Sequence, residues 1–185
     1  MTDLEILIPI PQGFDEPQIE RCLLAIAEST PIRVWKVTGV LLGHESVPRP
    51  FQPFSAFTWQ AVHATTLLDA IADADGIYVA IVPPEAELKD RAWFGKLQLP
   101  FLRTPSCGIT FSTSEAGTGM PPYPYRTAHA ESVPGRVLLS QRQTMQAIAK
   151  AAANADDLLR AAGALGLNCW AVPGIRIDVP GPVTP

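Results

Sequence analysis

The most continuous apolar pattern in the chain runs from Ala74 to Val82, where the sequence is ADGIYVAIV. A half-buried strand alternates apolar and polar residues, whereas an unbroken apolar run bounded by turn residues is typical of a strand covered on both faces. Pro83 and Pro84 end this run. The pattern therefore predicts the central strand of a parallel sheet over Ile77–Val82, with helices on both sides. Because ligands of such sheets bind beyond the carboxyl ends of the strands, we expect any site near Pro83.

Apolar periodicity in the first half of the chain predicts two further strands and two helices. Glu5–Ile10 and Ile32–Val40 are rich in branched apolar residues and are interpreted as strands. Pro17–Ser29 has apolar residues at helical spacing, and Pro31 ends the helix. Phe57–Ala72 shows a second helical stripe. A strand, a helix and a strand in this order predict a parallel pair with a right-handed crossover.

The second half continues this alternation. Ser106–Thr113 is predicted as the fourth strand and Asn168–Val172 as a short fifth strand, with a short helix over Glu85–Trp93. The alanine-rich segment from Ser140 to Leu165 predicts one long helix. Together these elements predict an α/β protein, a three-layer flavodoxin-like sandwich around a five-stranded parallel sheet of order 2-1-3-4-5. Residues 1–185 are expected to form a single flavodoxin-like domain with a proline-rich C-terminal tail.

Composition narrows the classes of function. The chain has 185 residues, of which 47% are hydrophobic and 17% charged, as in globular proteins. Its formal net charge of −4 comes without a basic block, so we expect no nucleic-acid partner. No apolar run approaches the ~20 residues of a membrane-spanning helix, and the first residues lack the basic start of a signal peptide. We therefore expect no membrane partner and a cytoplasmic location. Cys22, Cys107 and Cys169 have no CxxC spacing and predict neither a disulfide framework nor a metal site.

Three stretches of the sequence resemble one known family of α/β enzymes. Leu67–Val82, followed by Pro83-Pro84-Glu85, has an Ala-Asp before an apolar strand and an acidic proline loop after it. Ile109–Gly119 joins a strand to a loop rich in serine and glycine. Asp157–Val172 has a Leu-Arg pair, a Leu-Gly at the helix end and a hydrophobic strand. In their order and spacing these stretches, about half of the chain, resemble the NAD(P)H-dependent FMN reductase family.

The resemblance implies an FMN-dependent NAD(P)H oxidoreductase that acts as a flavin or quinone reductase. FMN would lie at the carboxyl ends of the first, third and fourth strands, and NAD(P)H would be the co-substrate for the hydride chemistry. No catalytic residue is assigned. The implied cofactor-binding residues are Gln12 and Gly13 in the first loop, Pro83, Pro84 and Glu85 in the second, and Ser112, Thr113, Ser114, Gly117 and Gly119 in the third.

The first loop supports a second hypothesis, a non-catalytic flavodoxin-like binding or assembly protein that has lost the flavin site. Pro9 and Pro11 donate no N–H, and Asp15 brings a carboxylate to the helix N-terminus where a phosphate would bind. A third hypothesis is a cofactor-free enzyme that uses Cys107 as a nucleophile or His129 as an acid or base. For Cys107 a small buried core residue is the favoured interpretation.

Aromatic residues have two interpretations. Trp59, Trp93, Tyr123 and Tyr125 could stack on a flavin or a substrate ring. We favour the alternative of a homodimer interface, because aromatic residues are enriched in interface cores. The sequence therefore predicts a homodimer, with a small-molecule substrate as a further possible partner. The residues of the predicted interface are Phe51, Phe54, Phe57, Trp59 and Trp93.

Overall fold

The computed structural model of the chain describes residues 3–30, 35–48, 51, 58–113, 124–127 and 136–178. No helix in these ranges is long and apolar enough to cross a membrane. The helices are α1 (Glu16–Ser29), α2 (Leu67–Asp73), α3 (Trp93–Arg103), α4 (Arg142–Ala151) and α5 (Leu158–Ala164). The strands are β1 (Leu4–Pro11), β2 (Trp35–Leu42), β3 (Thr58–Ala64), β4 (Tyr78–Ile81), β5 (Glu87–Leu88), β6 (Cys107–Ser112), β7 (Tyr125–Thr127), β8 (Leu138–Gln141), β9 (Asn168–Val172) and β10 (Ile177–Asp178).

Eight of these strands form one mixed sheet, in the order β3-β2-β1-β4-β8-β6-β9-β7. β1 lies parallel to both β2 and β4, and further parallel pairs join β2 to β3 and β6 to β9. β8 runs antiparallel between β4 and β6, and β7 runs antiparallel to β9. β10 and β5 pair separately as an antiparallel ribbon. The predicted α/β class and the central position of the apolar strand are confirmed, whereas the five-stranded flavodoxin-like order 2-1-3-4-5 is wrong.

The first cause of this difference lies in the segment predicted as a helix over Phe57–Ala72. Residues 58–64 form β3, which pairs with β2 along its whole length. Its sequence, TWQAVHA, carries threonine, tryptophan and valine, which favour an extended backbone once a neighbouring strand supplies hydrogen bonds. The helix α2 begins only after Thr66, whose hydroxyl accepts a hydrogen bond from the Asp69 N–H at 3.3 Å. The Thr66 N–H donates in return to the Asp69 carboxylate at 2.9 Å, which completes a capping box.

The second cause is β8, which takes the start of the segment predicted as one helix over Ser140–Leu165. Ser140 is fully buried in β8, and its hydroxyl donates to the Gly108 carbonyl of β6 at 2.6 Å. The remaining residues form two helices, α4 and α5, with a break between them. In this break the Asn154 side chain accepts a hydrogen bond from the Asp156 N–H at 3.0 Å and caps a short 3-10 turn. The break therefore creates a loop where the sequence predicted continuous helix.

Helices cover both faces of the sheet. α1 and α3 pack on one face, and Trp93 at the start of α3 is completely buried there. Its indole N–H donates to the Thr30 hydroxyl at 3.3 Å. α2, α4 and α5 pack on the other face around Ile71, Met145 and Ile148. Each face thus has its own apolar core.

The predicted aromatic interface does not agree with this core. Trp93 is 0% exposed and Phe51 is 7% exposed, so both side chains serve the packing of the chain itself. Trp59 also packs against the same core and is partly buried. Phe54 and Phe57 lie outside the described residues. The homodimer stays a prediction, without Trp93 or Phe51 as its exposed anchors.

A buried carboxylate joins the amino ends of β1, β2 and the turn before β4. Glu5 of β1 is only 2% exposed. Its Oε1 accepts a hydrogen bond from the Thr38 hydroxyl at 2.9 Å and lies 3.1 Å from Lys36 Nζ, and both partners belong to β2. Its Oε2 accepts a hydrogen bond from the Asp75 N–H at 2.8 Å. Burial alone would lower the pKa of Lys36, but the hydrogen bond and charge of Glu5 raise it. The buried carboxylate is therefore compensated on both oxygens.

Gly76 lies against the backbone of β1 beside this carboxylate, and we predict that it tolerates no side chain. A Cβ at Gly76 would lie 2.7 Å from the Glu5 nitrogen and 2.7 Å from the Tyr78 carbonyl oxygen. Both contacts are with backbone atoms of the sheet, which cannot move without breaking strand pairing. We expect Gly76→Ala to lower the free energy of unfolding by about 2 kcal/mol, within the ~1–3 kcal/mol typical of overpacking. Urea denaturation followed by circular dichroism measures this change.

Gly95 in α3 provides the matched control, because a Cβ there meets no atom within 4 Å. Gly95→Ala should raise the free energy of unfolding by about 0.5–1 kcal/mol, since alanine favours a helix interior over glycine. If the two substitutions shift the unfolding midpoint equally, the close approach at Gly76 is not what constrains that residue.

Candidate functional site

A cleft of about 540 Å³ opens at the edge where β1, β2 and β4 end. This is the edge near Pro83 at which the sequence predicted a site. The strand ends supply the floor, and α2, α5 and the loop between α4 and α5 supply the walls. The apolar lining residues are Pro9, Pro11, Phe14, Leu42, Leu67, Leu68, Ile81, Pro83, Pro84, Leu138, Ala153, Ala155, Leu158 and Leu159.

The described lining also has five polar residues, namely Thr66, Glu85, Arg136, Asn154 and Asp156. Thr66 and Asn154 use their side-chain oxygens to cap α2 and the 3-10 turn. The charged groups of the described lining are therefore Glu85, Asp156 and Arg136. A largely apolar cleft with a few polar groups is the usual composition of a small-molecule site.

Part of the floor of the cleft is the segment that follows β4. The Val82 N–H donates to the Leu7 carbonyl of β1 at 3.0 Å, so the pairing with β1 continues past the strand end. The Pro83 carbonyl then accepts a hydrogen bond from the Ala86 N–H at 3.0 Å and a weaker one from the Cys22 thiol of α1 at 3.6 Å. These contacts hold the floor to both the sheet and the helix layer below it.

Arg136 lies two residues before β8 and lines the cleft. Its Cζ is 5.9 Å from the centroid of the Phe111 ring, a cation–π arrangement on a buried side chain of β6. The next residue, Val137, is tied to Ser112 twice. The Ser112 N–H donates to the Val137 carbonyl, and the Val137 N–H donates to the Ser112 hydroxyl, both at 3.0 Å. Arg136 was missed from the sequence, where its only signal is an arginine at the end of a loop, directly before an apolar run.

The predicted site residues divide into three groups. Pro83, Pro84 and Glu85 follow the central strand and line the cleft. Gln12 and Gly13 form an exposed turn between the lining residues Pro11 and Phe14 and are not themselves part of the lining. Gly13 has a φ of 78°, which the turn requires and which glycine adopts without strain.

The third group belongs to the loop after β6. Ser112 and Thr113 are 1% and 2% exposed, and neither lines the cleft. The Ser112 hydroxyl orders the start of β8, as described above, so its role is structural. The Thr113 hydroxyl is buried without a hydrogen-bond partner in the described part of the chain. Ser114, Gly117 and Gly119 lie outside the described residues, as does His129.

The three cysteines are buried and none of them forms a disulfide bond. Burial raises the pKa of Cys107 to about 12, with a further contribution from nearby Cys169, and raises the pKa of Cys169 to about 11. Burial, Glu85 and Glu87 raise the pKa of Cys22 as well. A thiol that stays protonated is a poor nucleophile. The core interpretation of Cys107 fits these surroundings better than a catalytic one.

Known structures share this fold, although no family model matches the sequence and a search of the curated proteins finds no match. The chain is similar to a CMP:2-keto-3-deoxy-manno-octonic acid synthetase complexed with CTP, at 13% identity and a TM-score of 0.62, over 100% of this chain and 94% of that one. It is similar to the mannosyltransferase PcManGT from Pyrobaculum calidifontis in complex with GDP-Man and Mn²⁺, at 15% identity and a TM-score of 0.68, over 98% and 58%. It is also similar to the bifunctional IspDF from Campylobacter jejuni, at 11% identity and a TM-score of 0.61, over 96% and 52%. The chain thus spans little more than half the length of the last two structures.

At these identities the likeness establishes the fold alone, which is a mixed α/β, Rossmann-like fold. The resemblance to NAD(P)H-dependent FMN reductases is therefore wrong. The FMN-dependent oxidoreductase function, with its flavin and NADPH, and the flavodoxin-like binding protein that has lost its flavin are wrong with it. The stretches that carried the resemblance contain helix–strand units ending at β4 and β9 and the strand β6, elements that parallel α/β sheets of different families have in common.

Burial of the thiols generates a prediction about their reactivity. At pH 8 we expect iodoacetamide to alkylate the folded protein at least about 100-fold more slowly than the urea-unfolded chain, because the thiolate fraction falls with each rise in thiol pKa. Mass spectrometry of timed samples counts the modified cysteines. Rapid modification of one thiol in the folded protein would contradict the burial of that side chain and would make that cysteine a candidate nucleophile again.

Proposed function

We propose that this chain is a protein of the nucleotidyltransferase or nucleotide-sugar transferase type, and that it binds a nucleotide or a nucleotide-linked sugar in the cleft. The observation that carries the proposal is the position of the cleft. It lies at the carboxyl ends of β1, β2 and β4, where open α/β sheets bind their ligands. The matching folds include a synthetase complexed with CTP and a mannosyltransferase in complex with GDP-Man.

The size and chemistry of the cleft support the proposal. Its volume of about 540 Å³ falls within the ~300–1,000 Å³ typical of small-molecule sites. Phe14 and Leu42 offer apolar surface to the planar base of a nucleotide. Glu85 and Asp156 offer carboxylate oxygens that accept hydrogen bonds from ribose or sugar hydroxyl groups.

The described residues of the cleft do not by themselves form a site for a divalent metal. Mn²⁺ accompanies GDP-Man in the mannosyltransferase structure. Here the described lining has only two carboxylates, Glu85 and Asp156. Across the described ranges no three histidine, cysteine, aspartate or glutamate side chains come together to hold a metal ion. The proposal therefore includes no step that passes through a metal.

Filling the cleft should weaken ligand binding without disturbing the core. Ala153 is exposed on the loop between α4 and α5 and lines the cleft. We expect wild-type protein to bind CTP or GDP-mannose with 1:1 stoichiometry in isothermal titration calorimetry. Ala153→Trp should weaken that binding by about tenfold or more, a change of about 1.4 kcal/mol in binding free energy.

Ala151→Trp is the matched control, because Ala151 is also exposed and close in sequence but does not line the cleft. Its affinity should stay within about twofold of wild type, well below the tenfold step that 1.4 kcal/mol represents. Absence of binding by the wild-type protein to any of a panel of nucleoside triphosphates and nucleotide sugars would overturn the proposal. Equal weakening by both tryptophan variants would locate the binding elsewhere.

A further inference from the structure

Binding of a phosphate group in the cleft depends on the charged groups near the end of the central strand. A nucleotide-linked ligand brings phosphate oxygens, whose negative charge needs a cation or a set of donors. In the segment after β4, Pro83 and Pro84 offer no N–H for a phosphate, and the next residue, Glu85, carries a negative charge. A positive charge for the phosphate therefore comes from a neighbouring element.

That charge comes from Arg136, two residues before the antiparallel strand β8. Ile81 of β4 pairs with Leu138 of β8. Because the two strands run in opposite directions, the residues before Leu138 and the residues after Ile81 lie at the same end of the strand pair, which places Arg136 at the same end as Pro83. Both residues line the cleft, and Arg136 is the only basic residue in its described lining.

The guanidinium group is held in position yet remains available to a ligand. Phe111 supports its face through the cation–π contact, and the two hydrogen bonds between Ser112 and Val137 hold the backbone beside it. Within the described part of the chain Arg136 forms no ion pair with a carboxylate. Its N–H groups can therefore make the paired hydrogen bonds that a guanidinium forms with phosphate oxygens.

We infer that Arg136 binds the phosphate groups of the ligand directly and takes the place of a divalent cation, so that binding is independent of metal. This inference rests on the proposed function. In the described lining Glu85 and Asp156 are the only carboxylates and no third metal-ligating side chain joins them, while the positive charge of Arg136 repels a divalent cation at the same edge. The two carboxylates are left to contact the uncharged part of the ligand.

The test separates the phosphate from the rest of the ligand and from the metal. CTP, GDP-mannose, cytidine and guanosine are titrated into wild type, Arg136→Gln, Arg136→Lys and Arg91→Gln, each in EDTA and again in MnCl₂. Arg91 is exposed outside the cleft and serves as the control for a lost surface charge. Thermal melting of each variant confirms that it is folded before titration.

We expect the wild-type affinity for CTP or GDP-mannose to agree within about twofold between EDTA and Mn²⁺. Arg136→Gln should bind the phosphate-bearing ligands about tenfold or more weakly than wild type does, while its affinity for the uncharged nucleosides stays within about twofold of wild type. The affinity of Arg136→Lys for these ligands should lie between those of wild type and Arg136→Gln, since an ammonium keeps the charge but not the paired donors. Arg91→Gln should match wild type.

Two results would overturn the inference, a loss of affinity of about tenfold in EDTA or an unchanged affinity of Arg136→Gln for both phosphate-bearing ligands. Failure of the proposed function gives a different pattern, in which wild type binds no nucleotide. Inorganic pyrophosphate, observed by its ³¹P line width, then decides about Arg136. Line broadening by wild type that Arg136→Gln abolishes supports the anion site, and no broadening by wild type overturns it together with the proposed function.

Discussion

The buried carboxylate of Glu5 is the constraint on which the arrangement of the central strands depends. A carboxylate at 2% exposure is costly unless both oxygens are paired, and here the partners come from β2 and from the turn before β4. Removing one partner of such a group typically costs ~3–5 kcal/mol. A slip of one residue in either strand would reverse which side chains face each core. The charge network at the amino ends of the strands thus supports the register that brings their opposite ends together as a cleft.

Much of the fold could be predicted from local patterns, and the parts that could not depend on distant partners. β1, α1, β4, β6 and β9 correspond to continuous or periodic apolar runs, which indicate burial whatever lies next to them in space. β3 does not correspond to such a run. Its mixed sequence favours a strand only when β2 supplies hydrogen bonds. β8 could not be predicted for the same reason, since the hydroxyl of the buried Ser140 donates its hydrogen bond to a carbonyl of β6, far away in sequence. Strand order follows from these distant pairings, which explains why the five-stranded order was wrong although most elements were located correctly.

The residues of the candidate site also divide into those that local patterns predict and those that depend on distant partners. Pro83 and Glu85 could be predicted because the end of a central parallel strand is a general ligand position. Arg136 could not, because its place at the same end of the sheet as Pro83 depends on an antiparallel strand that local propensity does not indicate. The wall formed by the loop at Asn154 exists only because the predicted long helix is broken. The flavin hypothesis failed for a related reason, since its motifs describe how helices and strands follow one another rather than the chemistry of a particular site.

Four of the residues that line the cleft are prolines, Pro9, Pro11, Pro83 and Pro84, and this has a consequence for the thermodynamics of binding. The pyrrolidine ring restricts the backbone φ of each residue before any ligand arrives. An ordinary loop would lose conformational entropy on association, whereas the φ angles of these residues are already restricted by the covalent ring. A ligand therefore meets a floor that is already organised at the ends of β1 and β4, and a larger share of the free energy of its contacts appears as affinity. The prolines that remove backbone donors from this edge thus also give the cleft a persistent shape.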